Sequence, residues 1–142
     1  MCLLLIAWDH HPDYRLVLAG NRDEFHDRPT APAGWWKEHP DILAGRDLQA
    51  GGSWLGVTRG GRFAVVTNYR EPPDPDGHPR SRGALVTDYL LARTRPGAWR
   101  PVGDPDEYGG YNLIVADTAE AAYLCNRGAG KASLASGLHG LS

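Results

Sequence analysis

Residues 19–29 are "AGNRDEFHDRP", and within them an apolar run ends abruptly in a cluster of charged groups. The run at residues 16–20 predicts a buried strand, and the polar residues 21–24 follow it directly. A turn requires a Gly, Asn or Asp, but it does not require an arginine beside two carboxylates. The segment therefore indicates either an ion pair that closes the end of a loop or a site that carries chemistry.

The composition predicts one soluble globular domain. Of 142 residues, 42% are hydrophobic and 23% are charged, and a chain of this length can bury a substantial core. The net charge is −2 and the basic residues are scattered among acids, which argues against a nucleic-acid partner. The apolar residues 2–8 are too few for a membrane span and follow no basic segment. The two cysteines have no disulfide-framework or metal-ligand spacing, so we expect a cytoplasmic protein with no metal and no cofactor.

Apolar segments and turn residues predict three β-hairpins and one helix. The hairpins pair residues 2–8 with 14–19, 53–58 with 63–68, and 111–116 with 122–126. The helix is predicted over 81–95, with Ser81 as its N-cap and an apolar stripe of Leu85, Val86, Tyr89 and Leu90. The order ββ, long loop, ββ, α, ββ indicates an α+β layered fold.

Two further loops are expected between these elements. Residues 21–52 show no period and are rich in Pro, Gly and Trp, which predicts a long loop that wraps a site. Within it, the bend at Gly51 and Gly52 allows a close backbone approach, either to a ligand or in a turn that leads into the next strand. Residues 71–80, "EPPDPDGHPR", are predicted to be an exposed loop.

The end of the sequence leaves an apolar segment without a partner. Residues 138–142, "LHGLS", are a short apolar segment, and no later element follows with which it could pair. One helix cannot cover both faces of six strands, so we expect an apolar face to stay exposed. The chain is therefore predicted to be the N-terminal part of a longer domain, or to be completed by a partner chain such as a second copy in a homo-oligomer.

The second residue offers a nucleophile. Removal of Met1 leaves Cys2 with a free α-amine, and an α-amine titrates at about pH 7.7–8.0, so it can act as a base toward its own thiol. The antiparallel turn at residues 9–14 brings residues 21–24 back beside Cys2. There Arg22 favours the thiolate and Asp23 can orient the amine. The alternatives are a small buried strand residue for Cys2 and a structural ion pair at the loop end.

The order of the motifs resembles one known family. They are "MCLLLIAW" (1–8), "LVLAGNRDEF" (16–25), "RPTAP" (28–32), "LAGRDLQAGGSWLGVT" (43–58) and "GRFAVVTNYR" (61–70). The pattern, over roughly residues 2–127, resembles the NRDE family, also called the transport and Golgi organisation protein 2 family. That family is related to N-terminal-nucleophile hydrolases, so the resemblance implies an αββα sandwich that is incomplete in this chain.

The resemblance also implies roles for individual residues. In the cysteine amidases among those hydrolases, the N-terminal Cys attacks an amide, and an Arg, an Asp and an oxyanion-binding Asn assist it. The residues that match these four roles are Cys2, Arg22, Asp23 and Asn68, although the amidases space the Arg and Asp apart. Asn68 also suits a simple strand end. The candidates for substrate binding are Asn21, Glu24 and, by a loose alignment, Asn112.

Two functions follow as hypotheses. The first is Cys-dependent hydrolysis of the C–N bond of a small acyl-amide. The amidases use further residues from the second half of their chains, and this sequence has no counterpart of them. The second is non-catalytic binding and trafficking of haem, an acyl lipid or acyl-CoA, because eukaryotic members of the family are associated with secretory organisation, haem mobilisation and lipid handling. A third alternative is a half-domain fragment that does neither.

Overall fold

The computed structural model describes residues 2–72, 75, 77–128 and 130–142, and within these residues ten strands and one α-helix are formed. The elements are β1 (Leu3–Trp8), β2 (Leu16–Asn21), β3 (Thr30–Trp35), β4 (Ile42–Asp47), β5 (Leu55–Thr58), β6 (Phe63–Asn68), α1 (Arg82–Leu91), β7 (Tyr111–Ala116), β8 (Ala121–Cys125), β9 (Lys131–Ser133) and β10 (Gly137–Leu141). This content confirms the predicted α+β class. Met1 and positions 73, 74 and 76 of the predicted 71–80 loop lie outside the described residues.

The strands form two antiparallel sheets. The large sheet has the order β3-β4-β5-β6-β7-β8-β9, and the small sheet has the order β10-β1-β2. The three predicted hairpins are confirmed as the pairs β1–β2, β5–β6 and β7–β8. In the first pair Leu3 lies opposite Asn21. The end of β2 therefore lies beside the beginning of β1, as the turn at residues 9–14 predicted.

Two apolar cores separate three layers. The predicted stripe of α1 is buried against the helix-facing side of the large sheet, where Val66, Leu113 and Val115 lie. On the opposite side of that sheet, the inward side chains of β1, including Leu4 and Ile6, pack against the side chains of β6 and β7. The described elements thus stack as helix, large sheet and small sheet. A fourth, helical layer of the αββα sandwich is not among them.

The outer face of the small sheet is apolar and exposed, as expected for a fold with a single helix. Its large side chains are Leu3, Leu5, Val17 and Leu138, which are 45%, 56%, 41% and 72% exposed. Alternation along β1 explains the pattern, because Leu4, Ile6 and Trp8 point to the inter-sheet core and their neighbours point away from it.

The prediction that residues 21–52 form one long loop is wrong, because β3 and β4 lie within this range. β3 is the edge strand of the large sheet, and its register shifts between Ala31 and Gly34. Pro32, which cannot donate a ladder hydrogen bond, is tolerated at an edge or a bulge. Such a strand lacks the alternation of apolar and polar residues that sequence patterns detect.

The expectation that residues 138–142 have no partner is also wrong. Residues 137–141 form β10, which pairs antiparallel with β1, so that Leu138 lies opposite Ala7. The partner precedes this segment by more than a hundred residues instead of following it. The hydroxyl of Ser136 reinforces the closure by donating a hydrogen bond of 2.7 Å to the carbonyl oxygen of Asp9.

The helix begins where the sequence predicted and ends four residues earlier. Ser81 is the N-cap, and its hydroxyl accepts a 3.2 Å hydrogen bond from the Gly83 N–H. At the other end Arg62 donates to the carbonyl oxygens of Tyr89 and Thr94, at 3.2 and 2.9 Å. An arginine that binds helix-terminal carbonyls stabilises an early C-terminus.

The glycine bend at residues 51–52 serves helix packing. A Cβ on Gly52 would lie 2.5 Å from the Gly83 carbonyl oxygen, so the two backbones can approach this closely only without a side chain. The Ser53 N–H donates to the same oxygen at 3.3 Å. This contact fixes the beginning of α1 against the segment that leads into β5.

Replacing Gly52 with alanine is expected to destabilise the chain by about 1–3 kcal/mol, because the new Cβ meets backbone that cannot move aside cheaply. The urea midpoint of unfolding, followed by tryptophan fluorescence, measures the change. Gly34→Ala is the matched control, since a Cβ there meets nothing within 4 Å. Equal midpoints for the two variants would contradict the role assigned to Gly52.

Candidate functional site

A cleft of about 1600 Å³ opens at the N-terminal end of β1. Its lining includes the four residues predicted to be catalytic, Cys2, Arg22, Asp23 and Asn68. They come from the beginning of β1, from the segment after β2 and from the last position of β6. The antiparallel pairing of β1 with β2 accounts for the first three, and the packing of the two sheets brings the fourth.

Hydrogen bonds tie Cys2 to the segment that follows β2. The Asp23 N–H donates to the Cys2 Sγ at 3.4 Å, and the Leu3 N–H donates to the Asn21 Oδ1 at 3.1 Å. The Asn21 Nδ2 donates in turn to the Asp23 Oδ1, also at 3.1 Å. Cys2 is half-buried. These bonds hold the sulfur at one position in the cleft, and they use the predicted substrate-binding residue Asn21 as a clamp between the two strands.

Charged side chains brace the segment. The Arg22 Nη2 donates to the Glu24 Oε2 at 2.7 Å, and the Arg28 Nε lies 3.6 Å from the same carboxylate oxygen. Arg28 also donates to Asp47 of β4, at 2.6 Å from Nη2. The segment after β2 is therefore connected by ion pairs to the edge of the large sheet, and Glu24 is the link in the middle.

Asp47 is the anchor of this connection. Its Oδ1 accepts from the N–H groups of Gln49 and Ala50 at 3.0 and 3.1 Å, and its Oδ2 accepts from Arg28. Burial acts to raise the pKa of the carboxyl, but the bonds from Arg28 and the two backbone N–H groups outweigh it and hold the pKa below its usual value.

The two asparagines predicted from the amidases occupy different environments. Asn68 is exposed at the end of β6 and lines the cleft. Asn112 is buried between the sheets, where its Nδ2 donates to Thr67 at 3.5 Å and its Oδ1 accepts from the Tyr123 hydroxyl at 2.7 Å. Burial raises the pKa of Tyr123 to about 12, so this hydroxyl stays a donor at neutral pH. Asn112 is not part of the cleft lining, and a role for it in substrate binding stays a prediction.

Arg82 is a cleft residue that sequence reasoning missed. It is the first residue of α1, and its Nη1 donates to the Gly110 carbonyl oxygen at 3.1 Å. Burial lowers the pKa of its guanidinium, while the carboxylates of Glu71 and Glu24 oppose that shift. A cation in the first turn opposes the helix dipole. An arginine directly after an N-cap serine was the available signal.

The chemistry open to this site is that of a thiol with polar neighbours. Within residues 2–72, 75, 77–128 and 130–142, no cluster of three His, Cys, Asp or Glu side chains is arranged to hold a metal ion. The helix in the described part of the chain is too short and too polar to cross a bilayer.

The Arg28–Asp47 pair is expected to make stability depend on acid pH. Because the pKa of Asp47 is lowered by folding, its contribution is complete above the unfolded pKa of about 4 and is lost as pH falls through the folded value. Asp47→Asn should therefore lower the free energy of unfolding by on the order of 1 kcal/mol at pH 6 and by less at pH 3. Urea unfolding at both pH values measures this.

Asp41→Asn is the control, because Asp41 and Arg59 form an exposed pair at 3.9 Å. Exposed pairs contribute little to stability, so this change should be small at either pH. A loss for Asp47→Asn that is the same at pH 6 and pH 3 would contradict the assignment.

Comparison with known sequences agrees with the motifs. A sequence model of the Transport and Golgi organisation 2 family matches residues 1–142. The chain is 38% identical over 142 residues to the Transport and Golgi organization protein 2 homolog of Homo sapiens, covering 90% of this chain and 51% of that protein. It is 29% identical over 139 residues to Transport and Golgi organization protein 2 of Drosophila melanogaster, covering 86% of this chain and 48% of that protein.

This chain spans about half the length of those relatives. The family match extends over the full sequence and includes residues 22–24, which line the cleft. The chain therefore belongs to the Transport and Golgi organisation 2 family, which confirms the resemblance indicated by the NRDE motif.

Proposed function

We propose that this chain is a cysteine-dependent hydrolase of the N-terminal-nucleophile type that cleaves the C–N bond of a small acyl-amide. The observation that carries the proposal is the position of Cys2. Its sulfur lies in the cleft and accepts the Asp23 N–H at 3.4 Å, beside the segment whose charges the sequence associated with a nucleophile.

The first half of the reaction is acyl transfer to sulfur. With Met1 removed, the Cys2 α-amine takes the thiol proton, and the thiolate attacks the carbonyl carbon of the amide. The new C–S bond places a negative charge on the carbonyl oxygen. The α-ammonium then gives its proton to the amide nitrogen, the C–N bond breaks and the amine leaves. The product on the protein is a thioester, and Asp23 orients the amine that carries the proton.

The second half of the reaction is hydrolysis of the thioester. The α-amine accepts a proton from water as the hydroxide oxygen bonds to the carbonyl carbon, and collapse of this intermediate breaks the C–S bond. The acid leaves, and the sulfur regains its proton. Both halves pass through an oxyanion. We assign Asn68 as a donor to that oxygen, because it lines the cleft as an exposed amide.

The apolar part of the lining suits an acyl chain. It includes Trp54, Leu55, Val57 and Val66. The same observation favours a second candidate function, in which the cleft binds an acyl lipid, acyl-CoA or haem without turnover. The relatives' names refer to transport and Golgi organisation, which fits a carrier as well as an enzyme.

We also propose that the three described layers are part of an αββα sandwich. The exposed leucines on the outer face of the small sheet support this, because such a face is normally covered. Either further sequence of a longer domain or a second copy of this chain would cover it.

Cys2→Ala is expected to abolish hydrolysis of acyl-amides while leaving the melting temperature within a few degrees of the unaltered chain, because the thiol is only half-buried and its removal leaves no cavity in the core. Release of amine from a panel of acyl-amides measures activity. Cys125→Ser is the matched control, since Cys125 is buried outside the cleft lining, and it should retain turnover.

The intact mass of the purified protein shows whether Cys2 has the free α-amine that the proposed mechanism uses as its base. A mass lower by one methionine residue is required for the free α-amine. Retained Met1, or unchanged turnover in Cys2→Ala, would contradict the hydrolase. Titration of haemin and of an acyl-CoA into both proteins then tests the carrier, which should bind equally well with and without the thiol.

Asn68→Ala is expected to lower kcat by roughly a hundredfold with a smaller change in KM, because an oxyanion donor acts in the transition state and contributes about 3 kcal/mol. Steady-state kinetics on the best acyl-amide of the panel measure the two constants. Tyr69→Phe, at the next position of the same wall, should leave both constants unchanged. A rise in KM with constant kcat would show that Asn68 binds the ground state instead.

A further inference from the structure

The cleft carries an excess of positive charge. Among its described lining residues there are six arginines and four carboxylates. The arginines are Arg22, Arg28, Arg46, Arg70, Arg80 and Arg82, and the carboxylates are Asp23, Glu24, Asp47 and Glu71. A net positive charge in a concave surface attracts molecules of the opposite charge.

Most of these arginines already have a carboxylate partner. The pairs are Arg22–Glu24 at 2.7 Å, Arg28–Asp47 at 2.6 Å, Arg80–Glu107 at 2.6 Å and the close contact Arg46–Glu38. In the part of the chain that the structure describes, no carboxylate oxygen lies within 4.0 Å of the guanidinium nitrogens of Arg70 or Arg82. Among the described residues, these two are therefore the lining arginines without a carboxylate partner.

Arg82 is the better placed of the two. Arg70 is exposed at the rim, whereas Arg82 is half-buried, and its one hydrogen bond to another described residue runs from Nη1 to the Gly110 carbonyl oxygen. A guanidinium has five N–H donors, so most donors of Arg82 have no acceptor among the described residues. The Glu71 carboxylate accepts from the Gly110 N–H at 2.6 Å and from Arg127 at 2.9 Å, and it acts on Arg82 through its charge and not through an ion pair.

A partly buried cation without a partner is unfavourable. Removal from water disfavours the charged form, and burial accordingly lowers the pKa of Arg82. Glu71, Glu24 and Cys2 act on it in the opposite direction, and Arg28 adds to the effect of burial. An anion that enters the cleft would offset this cost with charge-assisted hydrogen bonds.

The backbone holds Arg82 in place before any ligand enters. Ser81 caps the helix, and the close contact between Gly52 and Gly83 fixes the next residue against the β5 side of the cleft. A site held this rigidly loses less entropy when it binds.

We propose that Arg82 binds an anionic oxygen group, a carboxylate or a phosphate, on the molecule whose carbonyl group reaches Cys2. This inference rests on the proposed function, because it specifies the substrate class of the same cleft. Carboxylates and phosphates both present two oxygens to the planar guanidinium, which binds them with paired N–H bonds. Arg70 at the rim supplies a second positive charge for the approach of the anion.

Three probes with the same octanoyl-amide group test the charge requirement and its source. N-octanoylglycine carries a carboxylate, N-octanoyl-O-phosphoethanolamine carries a phosphate, and N-octanoylglycinamide is neutral. Isothermal titration calorimetry on the Cys2→Ala chain measures their binding without turnover. We expect both anions, or one of them, to bind at least tenfold more tightly than the neutral amide.

Arg82→Gln in the same background should weaken binding of the preferred anion by roughly tenfold to a hundredfold and leave the neutral amide unchanged. Arg82→Lys keeps the charge without the planar fork and should recover part of the loss. Arg46→Gln is the matched control, because it removes an equal charge from the same cleft at an arginine that Glu38 already pairs. Its effect should be clearly smaller.

Equal weakening by Arg82→Gln and Arg46→Gln, equal losses for anionic and neutral probes, or no binding of either anion at millimolar concentration would overturn the proposal. If Arg82→Gln fails to fold, as judged by its melting curve, the Arg82→Lys variant and the comparison of the three probes on Cys2→Ala alone still decide it.

The two proposals fail in different ways. Arg82-dependent binding of an anion that the unaltered chain does not hydrolyse would overturn the hydrolase and retain the anion site. Hydrolysis of charged and neutral amides at equal kcat/KM would retain the hydrolase and overturn the anion site.

Discussion

The antiparallel pairing of β1 with β2 is the constraint on which the site depends. Gly20 lies opposite Leu4, and a Cβ on Gly20 would lie 2.7 Å from the Leu3 carbonyl oxygen, so the strands approach this closely only because the side chain is absent. The register places Asn21 opposite Leu3, and the next residues must then leave the sheet beside Cys2. A slip of one residue would turn Leu4 and Ile6 away from the core, and their burial opposes such a slip.

The charged segment after β2 makes two kinds of contact. Arg28 forms ion pairs with Glu24 and with Asp47 and so connects the segment to the edge of the large sheet. Asp47 also accepts hydrogen bonds from backbone N–H groups. Asn21 and Asp23 instead face the thiol end of β1. The Asn-Arg-Asp-Glu sequence has more charged groups than a turn requires. Its ion pairs close the loop, and its hydrogen bonds hold the Cys2 sulfur in the cleft.

The large sheet connects the site to the rest of the molecule. Its central strands β6 and β7 separate the helix core from the inter-sheet core. Asn68 at the end of β6 lines the cleft, and Gly110, just before β7, accepts the hydrogen bond from Arg82. The small sheet presents its inward side chains to this sheet and leaves the opposite face apolar and exposed. Packing on one side and exposure on the other follow from the same two-residue alternation in β1.

The sequence by itself determined the three hairpins, the buried stripe of the helix, the approach of residues 21–24 to Cys2 and the family. The hairpins, the helix and the approach to Cys2 are encoded in neighbouring residues, through turn chemistry, capping or apolar periodicity. The family instead follows from a resemblance of several motifs in order along the chain. Only the tertiary structure decided that β3 forms a bulged edge strand, that β10 closes on β1, that Asn112 lies buried while Asn68 lines the cleft, and that Arg82 enters it. These features depend on contacts between residues far apart in the chain, which local patterns do not encode. For Arg82 the local signal was only its place directly after the N-cap Ser81.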